Sequence, residues 1–397
     1  MAPSAQRLKT GPAASGPDAA ELDGLRLAMA QQAAEAAIGL SDPNPRVGCV
    51  IGLADGTVLG VGSTQKAGDA HAEVMALRQA AAAGADVRGA TAWVTLEPCS
   101  HHGRTPPCCD ALVRAGLARV VIAERDPNLL VAGQGIERLR AAGIAVQMGS
   151  ADQAAATREL NIGFFSRHER QRPWVRMKIA ASLDGRTALP DGRSQWITGE
   201  AARIDGHCWR RRAGAIVTGI GTALADDPRL DVRLAPSVLQ PTRVVVDSTL
   251  RLKPSARLLA PPGRAWVATG TEARPDRLAA LAETGIEIRV FGDGHGRVDL
   301  AALITAMAAD GANEIHIEAG AALNGALLSQ GLVDELLIYL APVLVGDGLG
   351  LAQLGTLASL SEAMRFDLVD TACVGHDLRL RLRPGTGIRG RRNRRQT

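Results

Sequence analysis

The chain has 397 residues, of which 46% are hydrophobic and 22% are charged. This length predicts two domains, and the composition excludes a wholly disordered chain, because enough apolar surface is present to offset chain entropy. No run of eighteen apolar residues occurs, so no membrane span is expected. Five arginines between residues 384 and 397 exceed the net charge of +4. The basic character therefore lies in a tail, and the rest of the chain does not have the composition of a nucleic-acid-binding protein.

The first half of the chain predicts an α/β domain. Residues 1–20 lack an apolar segment and any periodicity, so we expect a disordered arm without a secretory signal, and hence a cytoplasmic protein. Hydrophobic spacing and turn residues then predict alternating elements. In chain order these are a helix over 22–33, a strand hairpin over 47–53 and 57–61, a helix over 71–83, a strand over 91–96, a helix from Cys108, a strand over 120–123, a helix over 135–142 and a strand over 144–147.

A second alternation predicts a second α/β domain. A connecting helix is expected over 151–162, and the charged stretch 167–173 is expected to cross between the domains. The predicted strands cover 175–181, 216–218, 244–247, 265–268, 286–291, 315–318, 336–340 and 379–383. The predicted helices cover 199–212, 300–310 and 323–330. No internal repeat is present.

A histidine and two cysteines form the most specific pattern in the sequence. His71, Cys99 and Cys108 offer one imidazole and two thiolates, which are donors that zinc prefers. Three protein ligands leave one tetrahedral position open for water, which is typical of a catalytic zinc site. Glu73, in the first turn of a predicted helix, can exchange protons with that water. His-x-Glu followed by Pro-Cys and a second Cys is typical of zinc nucleobase deaminases.

Another interpretation of the same cysteines is a closed structural zinc site. Eight residues separate the two cysteines instead of the common two, and Cys109 could act as a fourth ligand. Adjacent helical residues point about 100° apart, so Cys108 and Cys109 rarely reach one ion. A closed site would also leave Glu73 without a role. His101 and His102 are expected to be polar loop residues.

Four segments together resemble the bifunctional deaminase/reductase family of riboflavin biosynthesis. They are HAE at 71–73, TLEPCSHHGRTPPC at 95–108, KIAASLDGRTA at 178–188 and SQWIT at 194–198. The resemblance extends colinearly over about residues 22–383. It implies an N-terminal cytidine-deaminase-like domain of three α/β/α layers over 21–165 and a C-terminal dihydrofolate-reductase-like α/β domain over 172–383. The arm, 1–20, and the basic disordered tail, 384–397, would flank them.

The family resemblance also implies two reactions. The first domain would use one zinc ion to hydrolyse the 2-amino group of 2,5-diamino-6-(5-phosphoribosylamino)pyrimidin-4(3H)-one. The second would use NADPH to reduce the ribosyl side chain to ribityl, giving 5-amino-6-(5-phosphoribitylamino)uracil. His71, Cys99 and Cys108 would then be zinc ligands, with Glu73 as the proton shuttle. The resemblance further implies a homodimer or homotetramer.

The resemblance assigns substrate contacts in the deaminase domain to Asn44, His101 and Arg104, and Arg104 suits a phosphate. Asn44 is also explained as a plain turn residue in Pro-Asn-Pro. Thr64 stands where the family usually has a histidine, which puts a substrate contact at that position in doubt.

Spacing alone is less specific in the second domain. Residues 218–222 lack the third glycine of a dinucleotide-binding fingerprint. Residues 315–324 run from a strand through glycine into a helix, where backbone N–H groups can hold a phosphate, although a simple turn explains them too. By resemblance, the cofactor would contact Ala180, Trp196, Thr222, Asp226, Ser248, Gly320, Ala321, Ala322, Leu323 and Asn324. The substrate would contact Ser194, Arg210, Leu230, Arg233 and Glu318, with Lys178 near the hydride path.

Two other classes of protein are weighed against this one. A nucleic-acid deaminase would need base-stacking side chains, but only 3% of the residues are aromatic. A zinc-stabilised scaffold without activity would leave Glu73 beside an incomplete ligand set. We therefore expect a small-molecule phosphate substrate and neither a nucleic acid nor a membrane as partner. Arg210, within three consecutive arginines, would without the resemblance be interpreted as a solvated helix end.

Overall fold

The chain folds into two compact units in a computed structural model that describes residues 18–101, 103, 106–129, 131–234 and 239–385. Of these described residues, the first unit contains 18–37 and Arg46–Leu160, and the second contains Ile38–Pro45 and those from Asn161 onward. The expected domains, 21–165 and 172–383, differ from this division because an early segment joins the second unit. Most of the expected arm and tail lies outside the described residues.

The first unit is built on a five-stranded sheet. Its strands are β1 (Gly48–Gly52), β2 (Val58–Ser63), β3 (Thr91–Leu96), β4 (Arg119–Glu124) and β5 (Ala145–Met148), in the order β2-β1-β3-β4-β5. The β1–β2 and β1–β3 pairs are antiparallel, whereas β3, β4 and β5 are parallel. The helices are α1 (Ala19–Ala34), α2 (Ala72–Ala82), α3 (Cys108–Arg114), α4 (Gln134–Ala141) and α5 (Ala151–Leu160).

Helices cover both faces of this sheet, which gives the expected three α/β/α layers. Helices α1 and α5 contact each other and the central strands, while α2, α3 and α4 form a second contiguous group. Glycines in β2 let α2 approach closely, since a Cβ on Gly60 or Gly62 would lie 2.2 Å from the carbonyl oxygen of Ala76 or Ala72. This contact fixes the first turn of α2 against the sheet.

The second unit contains a nine-stranded sheet in the order β11-β10-β9-β8-β12-β6-β13-β16-β15. Its strands are β6 (Trp174–Ser182), β8 (Ala215–Gly219), β9 (Thr242–Val246), β10 (Ala265–Thr269), β11 (Glu287–Val290), β12 (Glu314–Ile317), β13 (Glu335–Ala341), β15 (Phe366–Val374) and β16 (Asp377–Pro384), while β7 (Arg186–Ala188) and β14 (Leu349–Gly350) pair separately. Its helices are α6 (Ile162–Arg170), α7 (Glu200–Arg212), α8 (Ile220–Asp226), α9 (Pro275–Ala282), α10 (Leu300–Ala309) and α11 (Ala321–Ser329). Seven strands are parallel, and β16 and β15 extend the sheet antiparallel.

The two faces of this second sheet differ in chemistry. Val175 and Met177 of β6 point into an apolar core with α10 and α11. Because side chains alternate along a strand, Arg176 and Lys178 point to the other face, where α7 lies. There the fully buried Arg176 binds Glu314 and Glu335, at 2.6 Å each.

The segment Ile38–Pro45 is bound to the second unit by several hydrogen bonds. The Arg211 Nε atom donates to the Ile38 carbonyl at 3.0 Å. The Asn313 amide donates to the Asp42 carboxylate at 2.9 Å and to the Pro43 carbonyl at 3.1 Å. The early segment therefore belongs structurally to the later half of the chain.

Several elements differ from the sequence expectation. The charged stretch expected to cross between domains is largely the end of α6, whose Phe164 and Phe165 are buried. Helices α8 and α9 and strands β7, β14 and β15 were not anticipated. None of the helices in the described part of the chain has the length and apolar character needed to span a bilayer.

Candidate active sites

Three element ends bring the predicted zinc ligands together in the first unit. His71 is the N-cap residue of α2, Cys99 follows β3, and Cys108 is the first residue of α3. The His71 Nδ1 atom lies 3.6 Å from the Cys99 Sγ atom and 3.2 Å from the Cys108 Sγ atom. All three donor atoms lie within 4.8 Å of one another.

These distances fit a zinc ion. Tetrahedral zinc with ordinary bond lengths separates a nitrogen and a sulfur ligand by about 3.6 Å. Three hydrogen bonds to the Cys99 sulfur lower its pKa to about 4. In order of size they come from the Cys108 side chain, the His71 imidazole and the Cys108 backbone N–H. The chain therefore favours a thiolate at Cys99, which is the form that binds a metal.

Glu73 lies beside this donor set and is buried, with 3% of its surface exposed. Burial, and then the charge of Cys99, raises the pKa of the Glu73 carboxyl. A carboxyl group with a raised pKa exchanges protons more readily near neutral pH than an exposed glutamate.

Cys109 points away from the three donor atoms. Its Sγ atom donates to the carbonyl oxygens of Pro98, at 3.3 Å, and Gly135, at 3.5 Å. Among the described residues, the group that could hold a metal comprises His71, Cys99 and Cys108 without Cys109. The geometry thus favours an open three-ligand site over a closed one.

Glu97 supports the loop that carries Cys99, although the sequence analysis gave it no role. Its carboxylate accepts hydrogen bonds from the backbone N–H groups of Gly133, Gly135 and Ile136 at 3.0, 3.0 and 3.2 Å. This buried acid therefore joins the end of β3 to the start of α4. The sequence did contain a signal for this role, because Glu97 stands directly between the predicted strand over 91–96 and the Pro-Cys pair.

The other predicted deaminase residues are placed as follows. Thr64 is buried, and its Oγ1 atom accepts from the Val47 backbone N–H at 3.1 Å. Asn44 closes a turn, donating its backbone N–H to Ser41 at 2.8 Å, and belongs to the segment grouped with the second unit. His101 is exposed, while Arg104 and His102 lie outside the described residues.

Charged side chains gather at the carboxyl edge of the second sheet. Arg210 of α7 binds the Glu318 carboxylate through two nitrogens, at 2.5 and 2.8 Å, and donates to the Asp231 carbonyl at 3.0 Å. The pKa of Glu318 is well below its usual range: burial opposes this shift, but Arg210 outweighs it. Arg233 and Arg229 both bind the Asp231 carboxylate.

Two helices begin near this cluster at the ends of adjacent strands. Helix α8 follows β8 and α11 follows β12, and neither has a side-chain cap at its N-terminus. Gly320 precedes α11 and is exposed, and a Cβ there would lie 3.4 Å from the Thr222 Oγ1 atom. The free backbone N–H groups of α11 suit an anionic ligand such as a cofactor diphosphate.

The remaining predicted cofactor and substrate residues have varied surroundings. The Trp196 side chain is 69% exposed, with the Arg203 guanidinium 4.6 Å from its ring. Ser194 donates to Asp226 at 3.3 Å. Lys178 lies 5.7 Å from the Tyr339 ring, and burial lowers its pKa.

Ala180 lies near the end of β6 and Ser248 follows β9, and both are half-buried. Ala321, Ala322 and Leu323 form the first turn of α11. Leu230 and Asn324, by contrast, are buried, and the Asn324 amide donates to the Leu351 carbonyl at 2.9 Å.

Comparisons with known proteins match both units of the chain. Residues 21–124 match the cytidine and deoxycytidylate deaminase zinc-binding region, and residues 173–380 match the RibD C-terminal domain. The riboflavin biosynthesis protein RibD of Escherichia coli (strain K12) is 45% identical over 86% of this chain and 93% of its own.

Solved structures of similar length also match. RibD of Acinetobacter baumannii, with 40% identity, superposes with a TM-score of 0.81 over 92% of this chain and 99% of that one. A deaminase/reductase of Thermotoga maritima, named as a diaminohydroxyphosphoribosylaminopyrimidine deaminase/5-amino-6-(5-phosphoribosylamino)uracil reductase, has 30% identity, a TM-score of 0.81 and the same coverage.

Fold and sites together define a two-domain enzyme that joins a zinc-binding pyrimidine-type deaminase to a nucleotide-dependent reductase. The chain belongs to the RibD family of riboflavin biosynthesis proteins. It is a bifunctional enzyme, as the family resemblance implied, and its N-terminal domain has the cytidine-deaminase-like fold.

Proposed function

We propose that the first unit hydrolyses the 2-amino group of 2,5-diamino-6-(5-phosphoribosylamino)pyrimidin-4(3H)-one, with His71, Cys99 and Cys108 holding one zinc ion. The observation that carries this proposal is the mutual distance of the three donor atoms beside a buried glutamate. Zinc, when bound, supplies the Lewis acidity that makes water nucleophilic at neutral pH.

The chain's own residues then move the protons. Glu73 accepts a proton from the attacking water and returns it to the departing amino group, which leaves as ammonia. Burial of its carboxyl excludes bulk water, and Glu97 holds the Cys99 loop in place. Asn44, His101 and Arg104 remain proposed contacts to the substrate.

A Glu73→Gln variant tests this role. It should keep zinc, because Glu73 is not a ligand, while the deamination rate falls by about 10²–10⁴, the usual contribution of a positioned acid–base group. Metal analysis with ammonia release measures both quantities, and the reductase reaction of the same preparation is the internal control. Full deamination by the zinc-loaded variant would contradict the proton-shuttle assignment.

The second unit is proposed to reduce the ribosyl group of the deaminated product with NADPH, giving the ribityl compound. The free N-terminus of α11 and the exposed Trp196 support a cofactor at the predicted positions Ala180, Thr222, Asp226, Ser248 and Gly320 to Asn324. Lys178 and Glu318 would orient the sugar, Arg210 and Arg233 would bind the substrate phosphate, and Ser194 and Leu230 would contact the rest of the substrate. Titration with NADPH and NADH, followed by tryptophan fluorescence, separates the two cofactors.

The cellular location and the oligomeric state predicted from the sequence are also proposals. We propose a cytoplasmic homodimer or homotetramer with no nucleic acid or membrane partner. Strand β15 supports self-association, since it is an edge of the sheet and exposes Leu368 and Val369. Sedimentation of the purified chain tests this, and a Leu368→Lys variant should shift the species toward monomer; a wild-type monomer at micromolar concentration would contradict it.

A further inference from the structure

His207 is a titratable residue in the second unit to which the two reactions assign no role. It lies three residues before Arg210 on α7, so the two side chains occupy neighbouring positions on one helix face. The backbone N–H of Arg233 donates to the His207 Nδ1 atom at 3.4 Å. The half-buried ring is therefore next to both arginines proposed to hold the substrate phosphate.

The hydrogen bond defines the tautomer of the ring. Since Nδ1 accepts, the neutral imidazole carries its proton on Nε2 and presents that atom as a donor. Burial, and then the charges of Arg210 and Arg233, lowers the pKa of His207 to about 4. The ring is thus a neutral donor at physiological pH.

The charges around His207 come from three elements. Arg210 lies on α7, Asp231 and Arg233 lie in the loop after α8, and Glu318 follows β12. Each carboxylate is already bound: Asp231 by Arg229 and Arg233, and Glu318 by Arg210. An anion bound beside His207 would therefore lie near two arginines, two carboxylates that are already paired and one uncharged N–H group.

We propose that His207 is a further ligand of the substrate phosphate in the reductase site, donating its Nε2–H to a phosphate oxygen while remaining neutral. This inference rests on the proposed reductase function, which supplies the phosphate ester. A neutral donor adds a directed hydrogen bond without requiring a proton from solution.

Two variants of the full chain separate this role from simple support of the fold. His207→Gln retains an acceptor for the Arg233 N–H and a donor for phosphate, whereas His207→Leu retains neither. Calorimetry would measure binding of 5-amino-6-(5-phosphoribosylamino)uracil and of its dephosphorylated nucleoside. His207→Leu should weaken binding of the phosphorylated compound by about tenfold or more, the usual effect of losing a hydrogen bond to a charged group. Binding of the nucleoside should change less than about twofold, and His207→Gln should restore most of the loss.

A spectroscopic measurement tests the donor atom directly. In ¹⁵N-histidine spectra of the full chain, which has eight histidines, the signal absent from His207→Gln identifies His207. It should show the Nε2–H tautomer from about pH 5.5 to 8, because this range lies above its lowered pKa. Its Nε2–H resonance should shift with the phosphorylated compound and stay unchanged with the nucleoside.

The outcomes distinguish this inference from the proposed function. A wild-type enzyme that binds both compounds equally would overturn the proposed phosphate site itself. Discrimination that survives in His207→Leu, an unshifted Nε2–H resonance, or formation of imidazolium on binding would overturn the role of His207 alone.

Discussion

The two candidate sites are assembled in opposite ways. The donor atoms of the first unit come from His71, Cys99 and Cys108, all within one stretch of 38 residues and at the ends of neighbouring elements. The charged cluster of the second unit depends on the Arg210–Glu318 pair, whose members lie 108 positions apart in the sequence. A metal site formed by a local motif can therefore be predicted from the sequence. A site whose residues are far apart in the sequence can be recognised only once the fold is known.

The largest expected effect concerns the first site alone. Cys108→Ala should lose zinc and all measurable deaminase activity, because two remaining ligands do not retain the ion at low concentration. Cys109→Ala is the matched control and should keep both, since its thiol donates to the Pro98 and Gly135 carbonyl oxygens and lies outside the group of donor atoms. Metal content and the two half-reactions measure the result. A loss of reductase activity in Cys108→Ala would contradict the expectation that the two sites work independently.

The next effect concerns the charged face of the second sheet. Glu335 is fully buried and binds Arg176, Arg381 and Arg383. Burial raises its pKa, but the arginines outweigh this and hold it at about 2. We expect Glu335→Gln to lower the free energy of unfolding by about 3–5 kcal/mol at pH 7, since it removes the buried negative charge that Arg176, Arg381 and Arg383 share.

The pH dependence of this effect has a definite sign. The pKa of Glu335 in the folded protein lies below its unfolded value of 4.5, so its stabilisation is complete above that pH and disappears as the pH falls towards 2. Urea unfolding at pH 7 and pH 3.5 should therefore show a smaller difference between wild type and Glu335→Gln at the lower pH. An equal difference at both values would contradict the lowered pKa.

The smallest expected effect concerns Thr64, where the family usually has a histidine. Its hydroxyl binds the Val47 backbone, so Thr64→Val should cost about 1 kcal/mol of stability. The deaminase KM should change less than about twofold, because the Thr64 side chain is buried opposite Val47 at the end of the β1–β2 pair. Steady-state deamination and thermal unfolding check the two statements, and a large KM change would restore a substrate contact to this position.

Most of the correct sequence predictions came from short motifs and from segments with a regular hydrophobic pattern. The strand over 91–96 matches β3, and the expected start of a helix at Cys108 matches α3. The deaminase fold, the two-domain organisation and the family were likewise accessible from the sequence.

Elements that bury few residues could not be predicted in this way. Strand β15 exposes most of its side chains at a sheet edge, so its hydrophobic pattern carries little signal. The end of α6 is charged and has the composition of a linker, although Phe164 and Phe165 anchor it. The partners of Arg176 lie 138 and 159 residues away, and no local pattern indicates such pairs.

The early segment Ile38–Pro45 has a consequence for dividing the polypeptide. A fragment beginning at Asn161 would lack the eight residues that supply the carbonyls bound by Arg211 and Asn313. Those donors would lose these partners, and the separated reductase half should be less stable than the same residues in the intact chain. Genetic separation of the two activities is therefore better achieved by inactivating one site in the whole chain than by cutting between its halves.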